Sequence, residues 1–225
     1  SETSSIGANG EPIRIADYVI LPAVGQGSCE PLDIGVLAHE TGHALGLPDL
    51  YGYDGSSQGI GAWGLMGTGS HSASYSPAHL SAWSKEQLGW VRVEWITGEE
   101  ETLEIEPVVE SRTVYRYDLP GDTREYLLFE NRQRIGSDKA LPGSGLLAWR
   151  IDPDLGELMG WNGGGPHAAV RLIQADERGA LHRGGHADAG DPFPGESGRT
   201  TLEIEGAPPL RLSAIDERDG TIHAE

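Results

Sequence analysis

His39-Glu40-Thr41-Gly42-His43-Ala44-Leu45-Gly46-Leu47-Pro48-Asp49 is the stretch on which the whole reading turns. On a helix, residues four apart lie on one face with Cβ atoms ~5–6 Å apart. Two imidazoles so placed can bind one tetrahedral Zn²⁺ at ~2.0–2.1 Å. Glu40 projects to the same side, where it can act as general base and then carry the proton to a leaving amine. Gly46 can take the left-handed conformation that ends the helix and turns the chain back. Asp49 then comes within reach of the metal as third ligand, at the ~2.0–2.2 Å usual for a carboxylate. HExxH alone can arise by chance on an amphipathic helix. The Gly-x-x-Asp extension argues against chance, and so does Met66 in Gly64-Leu65-Met66-Gly67, placed to form an apolar floor beneath the ligands.

Around this stretch, residues 1–12 read as a mobile Ser/Gly-rich lead-in and Ile13 to Pro22 as a strand. Asp33 is positioned to cap a helix from Ile34 to Leu45. Residues 49–75, with seven glycines, read as loop. A second helix is expected from a Ser76 cap and Pro77 in its first turn to Leu88, with Gly89 as the stop. Past Trp90 the chain breaks into short alternating runs separated by Gly, Pro and Asp, such as REYLLFENR, GLLAWRID and AAVRLIQAD, the pattern of an antiparallel β-sandwich. The expected fold is therefore α+β. A zinc-peptidase region over 1–96 (short sheet, active-site helix, methionine turn, second helix) precedes a β-rich, sandwich-like domain over 97–225.

The 225 residues suffice for one large domain or two small ones. With 16 Lys+Arg against 35 Asp+Glu, the net charge of -19 argues against nucleic acid or an anionic membrane surface as partner and favours bound cations. The apolar runs fall short of the ~20 residues a membrane helix needs, so no membrane insertion is expected. The single cysteine, Cys29, excludes an intrachain disulfide. The chain begins at Ser1 without a signal segment, which reads as a leader removed or a chain trimmed.

The central stretch resembles the metzincin signature, with Asp49 where that signature has its third histidine. Together with GAWGLMG, KEQLGW, LLFENRQ, GLLAWRID and GDPFPG in that order, it resembles the immune-inhibitor-A-type peptidases, secreted bacterial zinc endopeptidases. The similarity runs from about Asp17 to the C-terminus. It implies zinc-dependent cleavage of protein or peptide substrates, export to the extracellular space, synthesis behind a propeptide and structural Ca²⁺. It also implies His39, His43 and Asp49 as zinc ligands, Glu40 as catalyst and Met66 as the turn methionine. Only 38 residues precede His39, so the N-terminal part of such a domain is either shortened or carried by a longer precursor.

Other residues admit two readings each. His71 is an alternative third ligand, or a polar loop histidine. Tyr51, Tyr53 and Tyr75 flank Met66, and a tyrosine hydroxyl can stabilise a developing oxyanion. Tyr75 is the candidate chosen, against a plain packing role. Cys29 can block zinc as a thiolate in a latent form, or is an ordinary thiol. Asp176, Glu177, Asp188, Asp191 and Glu196 offer hard oxygens suited to Ca²⁺, with Asp188 and Asp191 as the chosen pair, or form a solvated acidic face. Glu130-Asn131-Arg132 is expected to brace the β-rich half against the catalytic region. The competing function is a catalytically inactive remnant whose β-rich half is a binding or adhesion module, and a digestion assay with and without chelator separates the two.

Overall fold

The computed structural model describes residues 2–6, 10–14, 18–21, 24, 33–73, 75–97, 102–121, 123–161, 168–204 and 210–225. Cys29 lies outside them. At the N-terminus, β1 (Glu2–Ile6) pairs antiparallel with β2 (Pro12–Arg14). The expected lead-in is thus partly strand. Of the strand expected from Ile13 to Pro22, Ile13 and Arg14 belong to β2, Tyr18 to Leu21 have no regular structure, and the rest lies outside the described residues.

Helix α1 spans Ile34–Ala44, and Gly46 follows at φ 96°, the left-handed turn that lets the chain reverse. Asp33 precedes α1 in extended conformation but makes no capping bond with its side chain. Helix α2 is shorter than the sequence suggests, Ala82–Gln87. Its cap is Ser81, whose hydroxyl accepts from Ser84 N, while the Ser76 hydroxyl donates to the carbonyl of Ser137. Tertiary partners therefore outbid the Ser-Pro start signal.

The central element is a five-stranded sheet. Its strands are β3 (Arg92–Trp95), β5 (Thr113–Asp118), β6 (Tyr126–Arg132), β7 (Gly145–Ile151) and β8 (Val170–Ile173), in that spatial order. Strand β4 (Leu103–Ile105) and the single-turn helix α3 (Val108–Ser111) lie between β3 and β5 in the chain, and α4 (Pro153–Met159) follows β7. The β3–β5 pair is parallel and the other pairs are antiparallel, so the sheet is mixed rather than purely antiparallel. β3 lies before the boundary expected near residue 97 and hydrogen-bonds with β5 beyond it.

Side-chain alternation with period two gives this sheet two buried faces. Tyr126, Leu128, Leu147, Trp149, Val170 and Leu172 face a core shared with Leu50, Trp63, Met66 and Trp83 of the helical region. Leu127, Phe129, Leu146 and Ala148 face a second core. That core is covered by the remaining strands, β9 (Leu202–Ile204) paired with β10 (Leu210–Leu212), and the sheet β11–β12–β4 made with Asp216–Arg218 and Thr221–Ala224. All seven residues of β6 are buried. The mixed α+β character holds, but the layering differs from a two-sheet sandwich. One face of the main sheet meets two small sheets, and the other meets the region that carries α1.

Candidate metal centre

α1 presents His39 and His43 on one side, and the turn at Gly46 returns Asp49 to them. Asp49 Oδ1 lies 3.0 Å from His39 Nε2 and 3.3 Å from His43 Nε2. The two imidazoles meet edge to face, with ring centroids 4.8 Å apart. The other nitrogen of each ring contacts a main-chain carbonyl, His39 Nδ1 at 2.8 Å from Leu65 O and His43 Nδ1 at 2.8 Å from Leu47 O.

These contacts fix the tautomers. A carbonyl oxygen only accepts, so each Nδ1 carries a proton, and in a neutral imidazole Nε2 is then a bare lone pair. Each Nε2 is therefore the nitrogen turned to Asp49 Oδ1, and two imidazole nitrogens and a carboxylate oxygen, donor types that zinc takes, converge on one place. Tetrahedral coordination with bonds of ~2.0–2.1 Å places ligand atoms ~3.3 Å apart, close to the 3.0 and 3.3 Å spacings here. Donor atoms of His39, Glu40 and His43 also lie within 4.8 Å of one another. The residues present fit a zinc ion.

The surroundings orient this set. Tyr53 donates to Asp49 Oδ2 at 2.8 Å, leaving Oδ1 to face the imidazoles. Leu50 N donates to Met66 O at 2.8 Å, which ties the Asp49 segment to the methionine turn. Met66 is fully buried, and its thioether lies against Gly42, which immediately precedes His43 on α1. A Cβ at Gly42 would sit 2.5 Å from the Met66 sulfur.

A cleft opens beside the histidines, lined by His39, Glu40, Tyr51, Gln58, Thr68 and His71 among others. Glu40 is half-buried there. Tyr51 stacks at 6.5 Å on the His39 ring, and burial together with the neighbouring Asp49 pushes its hydroxyl up to about 12. Tyr75 is 84 % exposed and does not line this cleft. Tyr51, not Tyr75, is the tyrosine on the cleft wall, and its position two residues after Asp49 was the available signal. His71 reaches the cleft wall, while Asp49 makes the contacts to both imidazoles.

Asp176, Asp188 and Asp191 bring their carboxylates within 4.8 Å of one another. Glu177 pairs instead with Arg199, and Glu196 is not in the group. Glu130 and Arg132, fully buried, do more than brace. Glu130 Oε1 accepts from Ala82 N and Trp149 Nε1, and Oε2 accepts from Lys85 Nζ at 2.9 Å. Arg132 forks onto Asp138 and donates to the carbonyl of Trp63. Burial alone would raise the Glu130 carboxyl, but Lys85 and Arg132 outweigh it and hold it below the usual carboxylate range.

Residues 2–96 match the family described as immune inhibitor A peptidase M6, catalytic domain. Pre-pro-metalloprotease PrtV of Vibrio cholerae serotype O1, strain M66-2, is 39% identical over 66 residues, covering 26% of this chain and 7% of that protein. PrtV of strain ATCC 39315 / El Tor Inaba N16961 matches to the same extent. The match thus spans less than a tenth of these relatives' length. Among the described residues no helix is long and apolar enough to cross a membrane.

Proposed function

We propose, on the premise that residues 2–96 are immune-inhibitor-A-type metallopeptidase sequence, that this chain carries a zinc-dependent endopeptidase site acting on protein or peptide substrates. The observation that carries the reading is the convergence of His39 Nε2 and His43 Nε2 on Asp49 Oδ1 at 3.0 and 3.3 Å. His39, His43 and Asp49 would hold the metal. A zinc ion held there supplies Lewis acidity and makes water acidic enough to use near neutral pH.

The protein's own groups do the rest. The cleft takes an extended segment of substrate beside α1. Glu40, on its wall, accepts a proton from the attacking water and returns it to the departing amine. The Tyr51 hydroxyl, on the same wall, is the donor available to the oxygen on which charge develops. Leu65 and Leu47 carbonyls keep both imidazoles in the tautomer that presents Nε2. Met66 fills the space beneath.

Export, synthesis behind a propeptide and a structural Ca²⁺ bound near Asp176 and Asp188 belong to the same reading. The pre-pro form named for the Vibrio relative supports the propeptide.

The test is a zinc-loaded Glu40→Gln variant. Hydrolysis of a protein substrate is expected to fall by ~10²–10⁴-fold, with one zinc per chain retained. Chelator-sensitive cleavage by the parent separates this reading from an inactive binding module. Near-normal turnover in zinc-loaded Glu40→Gln would remove Glu40 from its role.

A further inference from the structure

Trp63 is completely buried and gripped at both ends by the β-rich region. Its carbonyl accepts from Arg132 Nη1 at 2.9 Å, and its indole Nε1 donates to Asp191 Oδ2 at 2.8 Å. Both partners are themselves fixed. Arg132 is forked onto Asp138 at 2.7 and 2.8 Å. Asp191 Oδ2 also accepts from Asp188 N at 2.9 Å, and its Oδ1 accepts from the Gln174 amide. Two residues beyond Trp63, the Leu65 carbonyl holds His39 Nδ1, and the next residue is Met66, packed under α1. A displacement of Trp63 therefore reaches a zinc-facing imidazole through two peptide units.

We infer that Arg132 and Asp191 are positioning residues for the metal centre, acting through Trp63, so that the β-rich half sets the orientation of His39. The inference rests on the zinc reading above and extends it beyond residues 2–96, the part that matches the peptidase family. It also gives Asp191 a use different from cation binding. Its two oxygens already accept three hydrogen bonds, from Trp63, Asp188 and Gln174. Groups that orient metal-bound histidines typically govern metal affinity by ~10–100-fold, because a mis-turned ring no longer points its lone pair at the ion.

The experiment compares the full chain with Asp191→Asn, Arg132→Lys and Ile222→Ala. An asparagine has one acceptor oxygen where three donors converge and turns a donor on one of them, so the hold on the indole is loosened. A lysine keeps the charge beside Glu130 and Asp138 but cannot both fork Asp138 and reach Trp63. Ile222, fully buried in the second core, is the control for general loss of stability. Zinc affinity is read by competition with a chelator, and ring placement by the visible absorption of the Co²⁺-substituted chain. Asp191→Asn and Arg132→Lys are expected to weaken zinc by ~10–100-fold and to change the Co²⁺ spectrum. Ile222→Ala should lower the thermal midpoint and leave both readouts at parent values. In a Trp63→Phe background, Asp191→Asn should cost nothing further, since the link is already cut. If Asp191→Asn does not fold, Arg132→Lys carries the test. Parent affinity and spectrum in the folded variants overturn the inference alone, whereas a parent that binds no zinc overturns the reading beneath it as well.

Discussion

The two faces of β6 are equally buried and differently built. The face toward α1 and α2 carries Tyr126, Leu128, Glu130 and Arg132, and its far end is held by charges and directed hydrogen bonds. The opposite face carries Leu127, Phe129 and Asn131, and apart from the Asn131 hydrogen bonds with Ile105, Gly220 and Gln133 it is apolar contact. Apolar burial stabilises without direction, whereas a buried ion pair fixes relative position at a high desolvation cost. The charged face is the one that meets the metal centre, where position decides function. The apolar face meets two small sheets, where area suffices.

The comparison is broken most sharply by removing one charge. Glu130→Gln leaves Lys85 and Arg132 short of a buried partner, and is expected to cost about 3–5 kcal/mol in urea unfolding and to weaken zinc binding as well. Phe129→Ala, one residue away on the other face, should cost a similar 3–5 kcal/mol through its cavity and leave zinc affinity of the folded protein untouched. Equal effects of both substitutions on zinc would erase the distinction between the faces.

A smaller effect sharpens the picture on the charged side. His79 donates its backbone N–H to Asp138, and its ring is pushed down to about 4, by burial first and then by Lys85 and Arg132, against the opposing pull of Asp138 and Glu130. Between pH 4 and its ordinary 6.5 the folded chain therefore binds fewer protons here than the unfolded chain. Stability from this group is present above pH 6.5 and is lost as pH falls toward 4. Relative to His79→Gln, the parent should lose about 3 kcal/mol across that window, measured by urea titration at each pH. A parallel pH profile in the variant would place the titration elsewhere.

The smallest expected effect concerns the carboxylates of Asp176 and Asp188. Millimolar Ca²⁺, with zinc held constant, should raise the thermal midpoint by several degrees, as a ligand of the native state at a hundredfold excess over Kd adds about 2.7 kcal/mol. Screening by NaCl at equal ionic strength should do less. Equal shifts would make these carboxylates solvated surface.

The cluster of candidate ligands His39, His43 and Asp49, with Glu40 beside them, was legible because these residues fall within one helix and its reversing turn, where spacing translates directly into geometry. The supports were not. The Leu65 and Leu47 carbonyls leave no mark in a sequence, since every residue has one. Tyr51 and Tyr75 were indistinguishable by period because both lie in irregular chain. Ser76 before Pro77 reads as a better cap than Ser81, yet its hydroxyl is used by Ser137 and the helix starts later. The alternation in Arg92–Trp95 announces a strand but says nothing of its parallel neighbour, which only the three-dimensional arrangement supplies.

Gly42 has a consequence for engineering. Glycine inside a helix costs roughly 0.5–1 kcal/mol relative to alanine, so replacing one is a standard route to a more heat-resistant protein. Here that route is closed, because the Met66 sulfur stands 2.5 Å from where the new carbon would go. Residues 42 and 66 therefore share one volume, and a side chain at 42 requires the thioether at 66 to move or shrink. A saturation library at position 42 alone should return glycine, and larger residues should emerge only from clones in which the side chain at 66 has shrunk.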